Sequence, residues 1–214
     1  MVFRIGMVKI HKIQGDITPE IAGSFKESVA IDTEATGLQI PERDKLSLIQ
    51  ICGENSDVYI IQPDRKTYKA PNLVSVLEND KIQKIGHFLR FDKLALEYFL
   101  KCKIKNIFCT KIGSKIVRTY TDSHGLKNLV QEFCNKNLDK KQGSSDWNKD
   151  INELSDKQLE YAANDVIYLH QIKKELEKML IRENRIDIYQ KCIDFLDTRI
   201  ELDQKGFRFS IFEH

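Results

Sequence analysis

The most informative residues of the sequence are two acids that share one short apolar stretch. Asp32 and Glu34 are separated by a single residue within residues 29–38, which are rich in strand-forming residues. Because side chains alternate along a strand, both carboxylates project from the same face. Two neighbouring carboxylates on a half-buried strand repel each other and lose hydration unless a cation or hydrogen-bond donors neutralise them. The pattern therefore predicts a site for a hard metal ion.

Two further segments carry acids that could complete such a site. In residues 85–92 a short strand ends in glycine and a helix follows, with Asp92 near its start. In residues 158–166, Tyr161 and Asp165 are four positions apart, so they face the same way on one helix. Each acid alone also has a purely structural explanation, since carboxylates favour helix N-termini and solvent-facing helix positions. The apolar pattern of the second helix places Asp165 at the edge of its buried face.

The one tryptophan of the sequence lies in a polar loop before this helix. Residues 143–147 read Gly-Ser-Ser-Asp-Trp within a longer stretch, residues 135–150, that is rich in Lys, Asn, Gly and Ser. An aromatic side chain in such a loop can be buried as a plug that anchors the turn. We therefore predict a positional role for Trp147.

Size and composition are those of an ordinary globular protein. The 214 residues are 41% hydrophobic and 31% charged, so we expect a single domain over residues 1–214. The formal net charge is only +2, so affinity for nucleic acid would have to come from local basic surface. Residues 101–127 contain such a cluster, which fits either a phosphate-binding track or an ordinary solvated surface.

The cysteines and the apolar runs bear on the compartment. Five widely spaced cysteines without a C-x-x-C pair argue against a zinc ribbon or a disulfide framework and indicate buried thiols in a reducing compartment. The N-terminal residues do not resemble a signal peptide, and no stretch reaches the roughly 18 apolar residues of a membrane span. We expect a cytoplasmic protein with no membrane partner.

The hydrophobic periodicity predicts an α/β fold, with short strands first and long helices later. The predicted strands are residues 2–10, 28–33, 45–52, 58–61, 81–86 and 104–109. The predicted helices are residues 18–27, 71–78, 88–100, 110–119, 125–133, 155–181 and 185–203.

Taken together, these motifs resemble a known family. The order D-x-E, then D, then Y-x-x-x-D is similar to the DEDDy class of 3′-to-5′ exonucleases, and within it to the bacterial ribonuclease D branch. Residues 46–51, Leu-Ser-Leu-Ile-Gln-Ile, resemble the second-strand signature of that branch, and residues 144–147 and 158–169 support the same likeness. The resemblance covers roughly residues 13–180.

The resemblance implies a ribonuclease H-like fold, with a central mixed β-sheet flanked by helices, and two Mg²⁺ or Mn²⁺ ions per site. It implies that Asp32, Glu34 and Asp165 bind one ion. Asp32 would also reach a second ion, on which Asp92 would act mainly through water. Tyr161 is the family's residue for the attacking water. Since an unperturbed phenol is a poor base at neutral pH, we assign Tyr161 to orienting that water.

The resemblance also suggests contacts to the substrate. The backbone of Thr36, Gly37 and Leu38 would hold the terminal nucleotide, with Leu38 wedged against its base. Phe91 could stack on a terminal or penultimate base, although core packing explains this residue equally well. His87 could contact phosphate or serve as a structural hydrogen-bonding residue.

The resulting expectation is a metal-dependent exoribonuclease that acts on single-stranded RNA 3′ ends, such as those of tRNA precursors, and releases nucleoside 5′-monophosphates. A DNA exonuclease of the same family is the closest alternative, because nothing in the sequence identifies a contact to a ribose 2′-hydroxyl. A non-catalytic nucleic-acid-binding module is a third, although a pure binder has no use for an acid cluster that repels phosphate. Longer ribonuclease D proteins carry C-terminal helical nucleic-acid-binding domains, which we do not expect here.

Overall fold

The computed structural model describes residues 2–5, 8–40, 42–138, 145–207 and 211. Within these residues the chain forms one seven-stranded sheet and eight helices. The strands are β1 (Val2–Ile5), β2 (Val8–Gln14), β3 (Ser28–Ala35), β4 (Leu46–Cys52), β5 (Val58–Gln62), β6 (Gln83–Gly86) and β7 (Ile107–Cys109). The helices are α1 (Pro19–Ser24), α2 (Pro71–Glu78), α3 (Leu89–Leu100), α4 (Thr110–Val117), α5 (Leu126–Cys134), α6 (Asp156–Ile167), α7 (Leu169–Arg182) and α8 (Ile186–Gln204).

The sheet is mixed, as the family resemblance implies, and its strand order is β1-β2-β5-β4-β3-β6-β7. The strand β3 pairs antiparallel with β4 and parallel with β6. Every residue of β4 and β5 is buried, since helices cover this part of the sheet. Such strands carry continuous apolar runs instead of an alternating pattern.

Three helices pack against the central strands of the sheet. The helix α6 packs over β3, β4 and β5, α3 packs against β3 and β4, and α7 packs against β3 and β6. The helix α8 contacts α3 and α4. The strand β3, which carries Asp32 and Glu34, is therefore held between elements from both halves of the chain.

Two predicted elements are wrong in their extent. The single strand predicted at residues 2–10 is a hairpin, in which β1 pairs antiparallel with β2; residues 6 and 7 between them lie outside the described residues. The single helix predicted at residues 155–181 is divided into α6 and α7 at Tyr168, whose N–H donates to Val166 O. The division allows α6 to follow the sheet while α7 packs on α4 and α5.

Smaller differences concern the element ends and the thiols. The helix α1 ends at Ser24, short of the predicted residue 27, and the predicted strand at 104–109 is confined to Ile107–Cys109.

All five cysteines are free, but only three are buried and Cys192 is exposed, so the prediction of buried thiols is wrong at that position. Within the described part of the chain, no helix has both the length and the apolar character to cross a bilayer.

Candidate active site

The structure brings together three acids that are distant along the chain. Asp32 and Glu34 lie on β3, and Asp165 lies on α6, which packs over that strand. Each contributes one carboxylate oxygen to a group in which all these oxygens lie within 4.8 Å of one another. Asp92 is not a member of this group, although its charge acts on all three acids.

The sequence of α6 explains how Asp165 reaches the sheet. Ser155 and Gln158 form a capping box, in which the Gln158 N–H donates to Ser155 Oγ and the Ser155 N–H donates to Gln158 Oε1. This box fixes the start of the helix. Ala162 and Ala163 are buried, and their small side chains let α6 lie close to the strands. Asp165 is thereby held over β3.

Tyr161 shares its side of α6 with Asp165, as the four-residue spacing predicts. Its hydroxyl group acts on the Asp165 carboxyl group and lowers the pKa of that group, against the larger effect of burial. The Trp147 ring is buried with its centroid 6.1 Å from that of Tyr161. This burial confirms the predicted aromatic plug; Gly143 and Ser144 of the same loop lie outside the described residues.

Asp92 is buried in the first turn of α3, as predicted. Thr33, between the two acids of β3, donates its hydroxyl proton to Asp92 Oδ1 over 2.7 Å. The turn from β6 into α3 is tight, because a Cβ atom on Gly86 would lie 2.2 Å from the Leu89 side chain. Phe88, which caps α3, takes the left-handed conformation with φ of 66°. A strained turn therefore aims Asp92 at β3.

Burial raises the pKa of all four carboxyl groups and is the largest cause in each case, and repulsion from neighbouring carboxylates adds to it at Asp32, Glu34 and Asp165. The pKa of Glu34 rises to about 9, and the pKa values of Asp92 and Asp165 rise to about 7. The pKa of Asp32 also lies well above its ordinary value. The cluster therefore holds protons at neutral pH that a bound cation would displace.

A buried amide beside the cluster suits a site that binds ions and water. Gln50 of β4 lies directly across from Asp32, and its side chain is fully buried. Within the described residues neither its amide nitrogen nor its amide oxygen has a hydrogen-bond partner. Buried polar groups are nearly always paired, so an unpaired amide across from Asp32 suits a hydrated or metal-binding site. Carboxylate oxygens are the ligands that Mg²⁺ and Mn²⁺ prefer in proteins.

The loop after β3 projects Leu38 into solvent. The Thr36 N–H donates to Lys45 O over 3.0 Å, and the Lys45 N–H donates to Thr36 Oγ1 over 2.9 Å, so the base of the loop is closed. Leu38 is 83% exposed. A large apolar side chain presented by a closed loop beside an acid cluster is a candidate for stacking on a ligand.

Asp44 fills the inside of the same loop. Its Oδ2 accepts a hydrogen bond from the Gln39 N–H over 2.8 Å, and Arg43 also donates to the carboxylate. Arg43 is the largest cause that lowers the pKa of Asp44. A Cβ atom on Gly37 would lie 2.4 Å from Asp44 Oδ2, so only glycine lets the loop close around this carboxylate.

Phe91 lies near this loop, whereas His87 is held by structural contacts. Phe91 is half-buried and lines a cavity of about 290 Å³ together with Leu38. Nδ1 of His87 lies 2.9 Å from Thr110 Oγ1, which itself donates to Gly86 O over 3.0 Å. Since the hydroxyl has one proton, His87 Nδ1 must donate to it, which fixes the orientation of the imidazole ring.

Sequence reasoning missed three residues that shape the site. Thr33 positions Asp92, Asp44 supports the Leu38 loop, and Gln50 lies across from Asp32. Gln50 lies within residues 46–51, which resemble the ribonuclease D branch, and the pairing of β3 with β4 places it across from Asp32. Thr33 and Asp44 gave no signal, because their partners are fixed by tertiary packing and by loop closure.

Comparison with known proteins identifies the family. A family model described as 3′-5′ exonuclease matches residues 16–181. DNA polymerase I of Aquifex aeolicus is 31% identical over 178 residues, which are 79% of this chain and 26% of the relative. Ribonuclease D of Haemophilus influenzae is 35% identical over 159 residues, which are 72% of this chain and 38% of the relative. The chain thus spans well under half the length of these curated relatives.

Solved structures give a similar result. Brucella melitensis NrnC is 43% identical, with a TM-score of 0.89 over 96% of this chain and 98% of that chain, and has also been solved bound to pGG and with bound Mg²⁺. Escherichia coli ribonuclease D, at 23% identity and a TM-score of 0.73 over 85% of this chain and 47% of that chain, supports the predicted ribonuclease H-like fold. The chain belongs to the 3′-5′ exonuclease family and is similar to ribonuclease D.

Proposed function

We propose that the protein is a metal-dependent 3′-to-5′ exoribonuclease that hydrolyses terminal phosphodiester bonds and releases nucleoside 5′-monophosphates. The observation that carries the proposal is the convergence of Asp32, Glu34 and Asp165, with carboxylate oxygens within 4.8 Å of one another. Such a cluster would repel the phosphate groups of a substrate unless cations lie between the carboxylates and the phosphates. The raised pKa values of these three carboxyl groups also support a need for bound cations.

The site would hold two Mg²⁺ or Mn²⁺ ions. Asp32, Glu34 and Asp165 would bind the first, Asp32 would also reach the second, and Asp92 would act on the second through water. When bound, such a pair supplies positive charge to the attacking and leaving oxygens of an in-line displacement. The structure of Brucella melitensis NrnC with bound Mg²⁺ supports a divalent cation as the cofactor.

Tyr161 would orient the attacking water. Burial and the neighbouring carboxylates raise the pKa of its phenol above the ordinary value, so the hydroxyl stays protonated at neutral pH. A protonated phenol cannot accept the proton of water as a base, but it can donate a hydrogen bond and fix the direction of the water. Its position one turn before Asp165 on α6, where the phenol and the acid cluster influence each other, supports this placement.

The substrate would be a single-stranded 3′ end. The backbone of Thr36, Gly37 and Leu38 would hold the terminal nucleotide, with Leu38 against its base. Phe91 would stack on a base, and His87 would lie near phosphate. The exposure of Leu38 and the cavity that it shares with Phe91 support these contacts, and NrnC bound to pGG supports a short nucleotide ligand.

DNA is the second candidate substrate, since the match to a DNA polymerase I covers most of this chain. The test uses matched 3′-single-stranded RNA and DNA oligonucleotides, each incubated with Mg²⁺, with Mn²⁺ and with a chelator. The proposal predicts stepwise shortening of RNA from the 3′ end in the presence of metal alone, and none by the D32N variant. Faster shortening of DNA would favour the second candidate, and no shortening of either would contradict both.

A further inference from the structure

A short loop before α6 is held by side chains from the first half of the chain. This Trp147 loop comprises residues 146–151, and its tryptophan is buried. Its backbone carbonyl oxygens accept hydrogen bonds from Lys12, Gln62 and Arg65, which lie 82 to 139 positions earlier in the sequence. Loops usually run over the surface and are more mobile than the elements they connect. The anchoring of this loop therefore indicates a positional role.

Gln62, the last residue of β5, fixes the end of the loop with both polar atoms of its amide. Its Nε2 donates to Lys149 O over 2.8 Å, and its Oε1 accepts from the Ile151 N–H over 3.0 Å. Gln62 and Ile151 are both buried. A buried amide whose donor and acceptor are both paired with one backbone segment holds that segment in a single position.

Arg65, three residues after the end of β5, fixes the start of the loop beside the tryptophan. Its Nη1 donates to Asn148 O over 2.8 Å and to Asn148 Oδ1 over 2.6 Å, and its Nη2 donates to Trp147 O over 3.0 Å. The guanidinium is a rigid planar group, so two of its nitrogens fix the direction of two adjacent peptide groups. The backbone that carries the Trp147 ring is thereby tied to the sheet.

The Trp147 ring connects this anchoring to Tyr161. The two ring centroids are 6.1 Å apart, with 36° between the ring planes, and Trp147 is 4% exposed. Gln158, in the first turn of α6, donates to Asp146 O over 3.4 Å, so the loop and the helix that carries Tyr161 are also joined directly. A packed neighbour restricts the rotamers of an aromatic side chain. The position of the Trp147 ring therefore limits where the phenol of Tyr161 can point.

We propose that Gln62 and Arg65 are positioning residues for Tyr161, which act by fixing the Trp147 loop. The inference rests on the proposed exonuclease function, in which Tyr161 orients the attacking water. Within the part of the chain that the structure describes, the hydrogen bonds of both side chains go to this loop. Their removal should therefore loosen the tyrosine and leave the carboxylates of the acid cluster in place.

The first test separates turnover from binding. With a 3′-single-stranded RNA and Mg²⁺, R65A and Q62M should each lower kcat by about tenfold, because the tyrosine that orients the water is less firmly held. KM should stay within about twofold of wild type, since the change affects the transition state alone. Calorimetry should give little change in Mg²⁺ affinity. R65K should restore part of kcat, because lysine keeps the charge but not the two-nitrogen contact.

A double variant tests whether Arg65 acts through the tyrosine. If it does, R65A adds nothing once the phenol is absent, so the kcat of R65A Y161F should lie within about twofold of that of Y161F. K66A, which removes the neighbouring exposed lysine, is the matched control and should behave like wild type. Circular dichroism checks the fold of each variant, and Q62M and R65K carry the comparison if R65A does not fold.

The loop itself can be observed without a label, because Trp147 is the single tryptophan of the sequence. In R65A and Q62M its fluorescence emission should shift to longer wavelength and be quenched more strongly by acrylamide, since a loosened loop admits water to the indole ring. K66A should show neither change. This measurement needs no substrate and no metal, so it tests the anchoring separately from the exonuclease reaction.

Three results would overturn the inference. The first is an equal loss from R65A with and without Tyr161, which would show that Arg65 only supports the fold. The second is a loss of Mg²⁺ affinity as large as the loss of kcat, and the third is unchanged kcat in variants whose emission is shifted. In each case a wild-type protein that shortens the RNA keeps the proposed function intact. A wild-type protein that shortens no RNA with Mg²⁺ or Mn²⁺ would overturn the function and the inference together.

Discussion

Four acidic side chains with raised pKa values form a cluster that is unfavourable without a cation. Thr33 donates its hydroxyl proton to Asp92, and the Tyr161 hydroxyl group acts on Asp165, so these two acids have contacts that offset part of their burial. Asp32 and Glu34 lie on one face of β3, where neighbouring carboxylates add repulsion to desolvation. At the residue scale the cluster is thus arranged for ligand binding at the expense of stability.

The role of Tyr161 can be tested by removing one oxygen atom. Tyr161→Phe should lower kcat by roughly a hundredfold, because the attacking water loses its orienting hydrogen bond. Affinity for Mg²⁺ should change much less, since the carboxylates remain. Single-turnover assays and metal titrations of the same preparation measure both quantities. Undiminished turnover with unchanged metal affinity would refute this role.

The raised pKa values predict how stability without metal depends on pH. A carboxyl group whose folded-state pKa exceeds its unfolded value keeps its proton in the folded state, so stability falls as pH rises between those values. For Asp165 that interval runs from about 4 to about 7. In the presence of a chelator, D165N should therefore become more stable than wild type as pH rises from about 5 to 8, by on the order of 1 kcal/mol or more.

Urea denaturation of both proteins at several pH values measures this difference. A matched variant, D187N, neutralises an exposed acid at the start of α8 and should show no such trend. A difference between D165N and wild type that does not change with pH would contradict the raised pKa of Asp165.

At the scale of elements, sequence patterns identified strands and helices well but their limits less well. Spacing alone predicts that Asp32 and Glu34 share one face of β3 and that Tyr161 and Asp165 share one side of α6. Alternation on a strand and the four-residue helical repeat are local rules. The division of the long helix at Tyr168 could not be predicted, since no proline or glycine marks it. It depends on α6 and α7 packing against different neighbours.

The loop between β3 and β4 gives an element-scale prediction. Asp44→Ala should raise KM for a dinucleotide about threefold to tenfold, because the loop that presents Leu38 loses its internal hydrogen bonds. The L38A variant should raise KM similarly, and the double variant should be no worse than L38A alone, since both changes act through one side chain. Steady-state kinetics of the three variants test this, and additive losses would show that Asp44 does not act through Leu38.

At the scale of the whole molecule, the site depends on contacts between distant segments. The α/β class followed from periodicity, whereas the mixed sheet and the convergence of the acids were implied by the family resemblance. The contact of Arg90 with Asp203 spans 113 positions and could not be predicted, because the local sequence around a charged residue does not indicate its distant partner. The same holds for Thr33 with Asp92, which are 59 positions apart.

The central claim, that acids from β3 and α6 together bind divalent cations, is tested most directly by titrating Mg²⁺ into metal-free protein in a calorimeter near neutral pH. The account predicts saturable binding to the wild type that is abolished in D32N and D165N and retained in D187N. Absence of binding to the wild type, or equal binding to the D32N and D165N variants, would contradict it.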